Sequence, residues 1–122
     1  MNNRDYQILQ KIIIEIRIID QLIEGFDIEK FLEDERDKRA VCMTLINIGE
    51  LVENISEDFK SHYSDIPWSA ILGIKEIIIH KYQVLKMGDV WVTIEEDIPN
   101  FGNKLKKSLQ NEYLKSITNK KR

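Results

Sequence analysis

Wound as a helix at about 100 degrees per residue, residues 68–80 (WSAILGIKEIIIH) are apolar on nearly every side. Ala70, Ile71, Ile74, Ile77 and Ile78 cover one broad arc, and Trp68, Leu72 and Ile79 cover another. A helix with so much apolar circumference needs cover from several directions, which places it in the centre of a helical bundle. The rest of the chain repeats the helical spacing, and no stretch alternates as a half-buried strand would. At 122 residues, 43% of them hydrophobic, the chain is long enough for one core and short for two. An all-α fold of about four to five helices, up and down, is expected.

Residues 4–24 carry Leu9, Ile12, Ile13, Ile16, Ile19 and Ile23 at spacings of three and four, with Ile14, Ile18 and Leu22 as a second stripe. Gly25 ends this helix, and Asp27 is placed to cap a short one over 27–32. The charge run 33–39 reads as a solvated face leading into a helix over 40–55. There Val41, Leu45, Ile48, Val52 and Ile55 form the core stripe, and Asn47, Glu50 and Asn54 share another face. Gly49 inside this helix costs about 1 kcal/mol against alanine, which close packing of a neighbouring helix would explain. Ser64 or Asp65 can cap the next helix, with Pro67 in its first turn. A last helix starts at Gly88, is interrupted by Pro99 and resumes over 101–114 with a basic outer face. The expected domain covers residues 1–115, with 116–122 as a basic, flexible tail.

With 18 Lys and Arg against 21 Asp and Glu, the net charge is -3, so attraction for a polyanion has to be local. The lone Cys42 sits in an apolar stretch and is expected in the core. No apolar run approaches a membrane span, and the start of the chain does not read as a leader; a cytoplasmic location is expected. Neither histidine has a partner at metal-ligand spacing, and the glycines form no phosphate loop, so neither a metal nor a cofactor is expected.

The remaining strip of the 68–80 helix holds Ser69, Gly73, Glu76 and His80, with Glu76 and His80 one turn apart and able to touch. Lys75 is the odd member, because it projects among apolar neighbours. It either extends its stem along the helix to water or its charge has a task. Lys75 and His80 lie roughly 140 degrees apart on a straight helix, so one straight helix does not aim both at one target; two subunits meeting around this helix could bring the lysine of one and the histidine of the other to one cleft.

These residues resemble the HepT-like HEPN proteins, toxins of prokaryotic toxin-antitoxin pairs. The resemblance spans about residues 5–110. It rests on Phe31-Leu-Glu-Asp34, on Ala40-Val41 through Ile48-Gly49-Glu50, and on Asp65-Ile-Pro-Trp68 with Ile71-x-Gly73. It continues in His80-Lys81-Tyr82, Val90-Trp91 and Glu96-Asp-Ile-Pro99. The resemblance implies a homodimeric, metal-independent endoribonuclease acting on RNA, with a small nucleotidyltransferase antitoxin as its partner. The family motif is Arg-x4-His-x-Tyr, usually with Asn after the Arg; here Lys75 stands at the arginine and Glu76 at the asparagine. By that resemblance His80 is the acid or base, Lys75 the phosphate-binding cation, and Tyr82 a positioning residue and acceptor of AMP from the partner. Glu76, Glu50 and Asn47 are candidate supporting residues. The alternative is a catalytically inactive HEPN module that binds a nucleotidyltransferase or a nucleotide.

Overall fold

The computed structural model describes residues 1–120. Four long helices form the bundle: α1 (Asn3–Leu22), α3 (Glu35–Glu53), α5 (Trp68–Lys81) and α7 (Ile98–Lys120). Short helices α2 (Ile28–Glu33), α4 (Glu57–His62) and α6 (Met87–Val92) occupy the connections, and no strand occurs among the described residues. The all-α class read from the spacing is the class observed.

Local chemistry explains most boundaries. Asn2 caps α1 by accepting the Asp5 N–H at 2.7 Å. Gly25, at φ +76°, turns the chain out of it, a conformation that costs glycine nothing. Asp27 caps α2 as expected, accepting the Lys30 N–H at 2.8 Å. The charge run is more than a lead-in: Asp34 caps α3 by accepting the Asp37 N–H, and α3 starts at Glu35 rather than near Ala40. Acidic residues in a first turn complement the helix dipole.

Three expectations change. Neither Ser64 nor Asp65 caps α5, whose cap position is Pro67 with no side-chain bond; the Asp65 carbonyl instead accepts from Lys104 at 2.9 Å. Pro99 does not interrupt the last helix, because a π turn over Thr93–Asp97 precedes it and the Ile98 N–H reaches back to the Thr93 carbonyl. The wider turn makes room for a ring that has no N–H to offer. The expected tail is helical over 116–120, since α7 runs to Lys120; residues 121 and 122 lie outside the described residues. Helix α4 went unread, because six residues are too few to show a period.

The middle position belongs to α3, which packs against both α1 and α5. Leu9, Ile12 and Ile19 of α1 and Val41, Ile48 and Val52 of α3 are fully enclosed, together with Phe101 and Leu105 of α7. Helix α5 buries Trp68, Ile71 and Ile78 but leaves Ile77 51% and Ile79 46% exposed. The expectation that α5 lies at the centre is therefore corrected: the described residues supply no further helix for its outer side. Cys42 is buried as expected, and burial pushes its thiol up to about 11. Among the described residues, no helix is long and apolar enough to cross a membrane.

Candidate functional site

The site is built on the seam between α3 and α5. Gly49 faces Lys75 so closely that an added Cβ would lie 2.5 Å from the Lys75 Cβ and 2.8 Å from its Cδ. The missing side chain at position 49 is the space through which the lysine stem passes, which accounts for a glycine inside a helix. Lys75 is only 5% exposed, and its stem runs between the helices toward a group of carboxylates.

Its ammonium hydrogen-bonds Glu53, lies 3.2 Å from Glu50 Oε1 and 3.8 Å from Glu76 Oε1. The hydrogen bond from Lys75 to Glu53, with further help from Glu50, holds the ammonium above the ordinary lysine range against the opposing effect of burial. A buried lysine with several carboxylate partners obeys the rule that enclosed charges are paired. The three carboxylates are about half exposed: Glu50 55%, Glu53 44% and Glu76 53%.

Glu76 has two roles at once. Its Oε1 faces Lys75, while its Oε2 lies 3.1 Å from His80 Nε2. The Glu76 to His80 contact is the i,i+4 neighbour pair that the spacing implied. His80 itself is 68% exposed at the carboxyl end of α5. With Nε2 bonded to a carboxylate, the neutral ring carries its proton there and keeps the Nδ1 lone pair free. One carboxylate thus links the lysine to the histidine, and this happens within a single chain, where direct convergence of the two side chains was not expected.

Tyr82 begins a short 3-10 turn after α5. Its hydroxyl is enclosed and has no hydrogen-bond partner among the described residues, and the Arg39 guanidinium lies 5.8 Å from its ring centroid. Asn47 does not join the cluster; it donates to Glu15 Oε1 of α1 at 2.9 Å. Together with Glu50 it lines a groove of about 370 Å³ between α1 and α3, bounded also by Lys11, Ile14 and Leu51. Of the six residues singled out in the sequence, Lys75, Glu76, Glu50 and His80 form one connected set, while Tyr82 and Asn47 lie at its margins. Glu53, the tightest partner of Lys75, was missed. It sits three residues beyond Glu50 on the same face of α3, a spacing visible in the sequence but pointing to no particular cation.

The fold and this cluster define an all-α bundle whose third long helix carries a lysine, carboxylate and histidine in linked array. Residues 12–108 match the family described as Ribonuclease HepT-like, and the chain belongs to that family. Relatives named as candidate ribonucleases align over most of both chains. One from Caldanaerobacter subterraneus subsp. tengcongensis is 32% identical, over 85% of this chain and 93% of its own length. A candidate ribonuclease HepT from Thermococcus cleftensis is 33% identical, over 87% of this chain and 94% of its own. A third, from Methanocaldococcus jannaschii, is 28% identical over 90% of this chain and 98% of its own. No solved structure matches the chain.

Proposed function

We propose that this chain is a metal-independent endoribonuclease and the toxin member of a pair with a nucleotidyltransferase antitoxin, with His80, Lys75 and Tyr82 as its motif residues. The observation that carries the reading is the exposed His80 held at 3.1 Å by Glu76, in a family of ribonucleases. In RNA cleavage without a metal, the 2′-oxygen bonds to the adjacent phosphorus as the bond from phosphorus to the 5′-oxygen breaks. A base takes the 2′ proton, and an acid supplies one to the leaving oxygen. An imidazole held by a carboxylate and open to solvent suits either transfer. A nearby cation offsets charge growing on the phosphorane.

A homodimer fits the apolar surface that the single chain leaves uncovered. Ile77 on α5, Met43 on α3 and Ile14 on α1 are each more than half exposed. Tyr82 remains the candidate acceptor of AMP, and its enclosed hydroxyl would have to turn outward to receive it.

The second reading, a HEPN module that binds its nucleotidyltransferase without cutting RNA, is favoured by one observation. The Lys75 charge is already met by carboxylates, so it offers little to an incoming phosphate. Cleavage of RNA in the presence of chelator, by wild type and His80→Ala side by side, tests the two. The ribonuclease reading expects products from wild type alone. Intact RNA at high protein concentration rejects it.

A further inference from the structure

The motif spacing offers Lys75 to a phosphate, yet the packing takes it away. Its ammonium is enclosed at 5% exposure and meets Glu53, Glu50 and Glu76. A phosphate approaching it would encounter three half-exposed carboxylates first, and like charges repel strongly at such range.

Another cation stands beside the motif. Arg39 lies on α3, 66% exposed, with its guanidinium carbon 5.8 Å from the ring centroid of Tyr82, two residues beyond His80. Its ion pair runs from Nε to Glu35 Oε1 at 3.3 Å, and Glu35 is itself 61% exposed. Pairs of that kind are weak and yield readily to a better anion. The Tyr82 face steadies the guanidinium when Glu35 gives way, and its planar fork is the group that grips a phosphate through two oxygens. Lys81, also exposed, offers only a mobile point charge.

We propose that Arg39 is the substrate-binding cation of this site, its guanidinium taking a backbone phosphate of the RNA next to His80, while Lys75 acts through Glu76 as a positioning residue. The assignment rests on the ribonuclease reading above for the identity of the ligand. It moves the cation from α5 to α3 and gives Tyr82 the task of steadying it.

The test is binding of a 2′-O-methyl RNA oligonucleotide, which lacks the attacking hydroxyl, across a series of salt concentrations. Arg39→Ala and Arg39→Gln should each weaken binding about tenfold and lower the salt slope by about 0.7, the value for one phosphate contact on a single strand. Arg39→Lys should restore the slope and only part of the affinity. Lys75→Gln and Lys75→Met should leave the slope unchanged while lowering kcat on cleavable RNA with KM preserved, and Lys81→Ala should leave both unchanged. The assignment falls if wild type does not bind, if both Arg39 variants bind like wild type, or if the Lys75 variants lose the slope instead. Thermal melts that match wild type exclude misfolding as the cause of a loss. Binding that depends on Arg39 without cleavage of ordinary RNA would overturn the ribonuclease reading and leave Arg39 as the phosphate-binding residue.

Discussion

The two histidines of this chain keep opposite company. His80 has Nε2 3.1 Å from a carboxylate oxygen of Glu76, whereas His62 has Nε2 2.7 Å from the ammonium of Lys115. An ammonium can only donate, so the His62 Nε2 lone pair is already engaged and its ring proton sits on Nδ1. In its neutral form His80 has the reverse arrangement, donating from Nε2 to the Glu76 carboxylate and keeping a lone pair on Nδ1. The surroundings differ in the same sense. Around His80 a buried cation, Lys75, is ringed by carboxylates that are about half exposed. Near His62 an enclosed anion, Glu112, is met by the Tyr63 hydroxyl at 2.6 Å, by the Met1 ammonium at 3.0 Å and by Lys115 at 3.3 Å. In the first cluster the movable groups face solvent, where a ligand can reach them. In the second they converge on one carboxylate and tie Met1, ahead of α1, and Tyr63, just after α4, to α7. The contrast separates a site from a fastening.

Exchanging readouts between the clusters tests that separation. The largest effect is expected on cleavage: His80→Ala should lower kcat by roughly 10²–10⁴-fold, the range for loss of a general acid or base. His62→Ala should leave the rate unchanged, and a comparable loss there would dissolve the distinction. Next is Gly49→Ala, which drives a methyl into the Lys75 stem. Overpacking of this kind costs about 1–3 kcal/mol, from which the roughly 1 kcal/mol helix preference of alanine is recovered. A melting temperature at or above wild type would show that the seam has slack.

The Glu112 cluster should reveal itself through pH. Burial works against its carboxylate, but the Tyr63 hydroxyl, the Met1 ammonium and Lys115 outweigh it and hold the group at about 2. Its folded value lies below the ordinary 4.5, so the stability it contributes is present above pH 4.5 and is lost as pH falls toward 2. The amount is on the order of 1–2 kcal/mol after allowance for partial exposure. Denaturant midpoints measured between pH 6 and 2 should fall more steeply in wild type than in Glu112→Gln. At the alkaline end, burial and the neighbouring Glu112 push the Tyr63 hydroxyl up to about 12. That contribution is complete below pH 10 and disappears as pH rises through 12. The smallest effect belongs to Lys115→Ala, because the lysine is 52% exposed and Tyr63 and Met1 still meet Glu112 without it; its loss should cost under about 1 kcal/mol. A larger drop in thermal melts would make Lys115 a keystone of the fastening.

Much of this architecture could be read from residue order. The core stripes of α1 and α3 emerged from spacing alone, since a 3.6-residue period determines which side chains share a face. The Glu76 to His80 pair followed from the same geometry. What the structure altered was whatever depends on neighbours distant in the chain. Pro99 looked like a break, but a π turn absorbed it. Helix α5 looked central, but α3 holds that place. Asn47 looked like part of the cluster, but its amide turned to Glu15 across the α1 groove.

The sequence by itself determined the long helices, the apolar faces of α1 and α3, the Glu76 neighbour of His80 and the motif that marks the family. Those depend on short-range spacing, which the covalent chain and helical pitch settle together. Only the tertiary structure decided the fate of Lys75, because Glu50, Glu53 and Gly49 lie more than twenty positions away on another helix. Which carboxylates surround a buried cation depends on how two helices are rotated against each other. That rotation is chosen by the whole core at once.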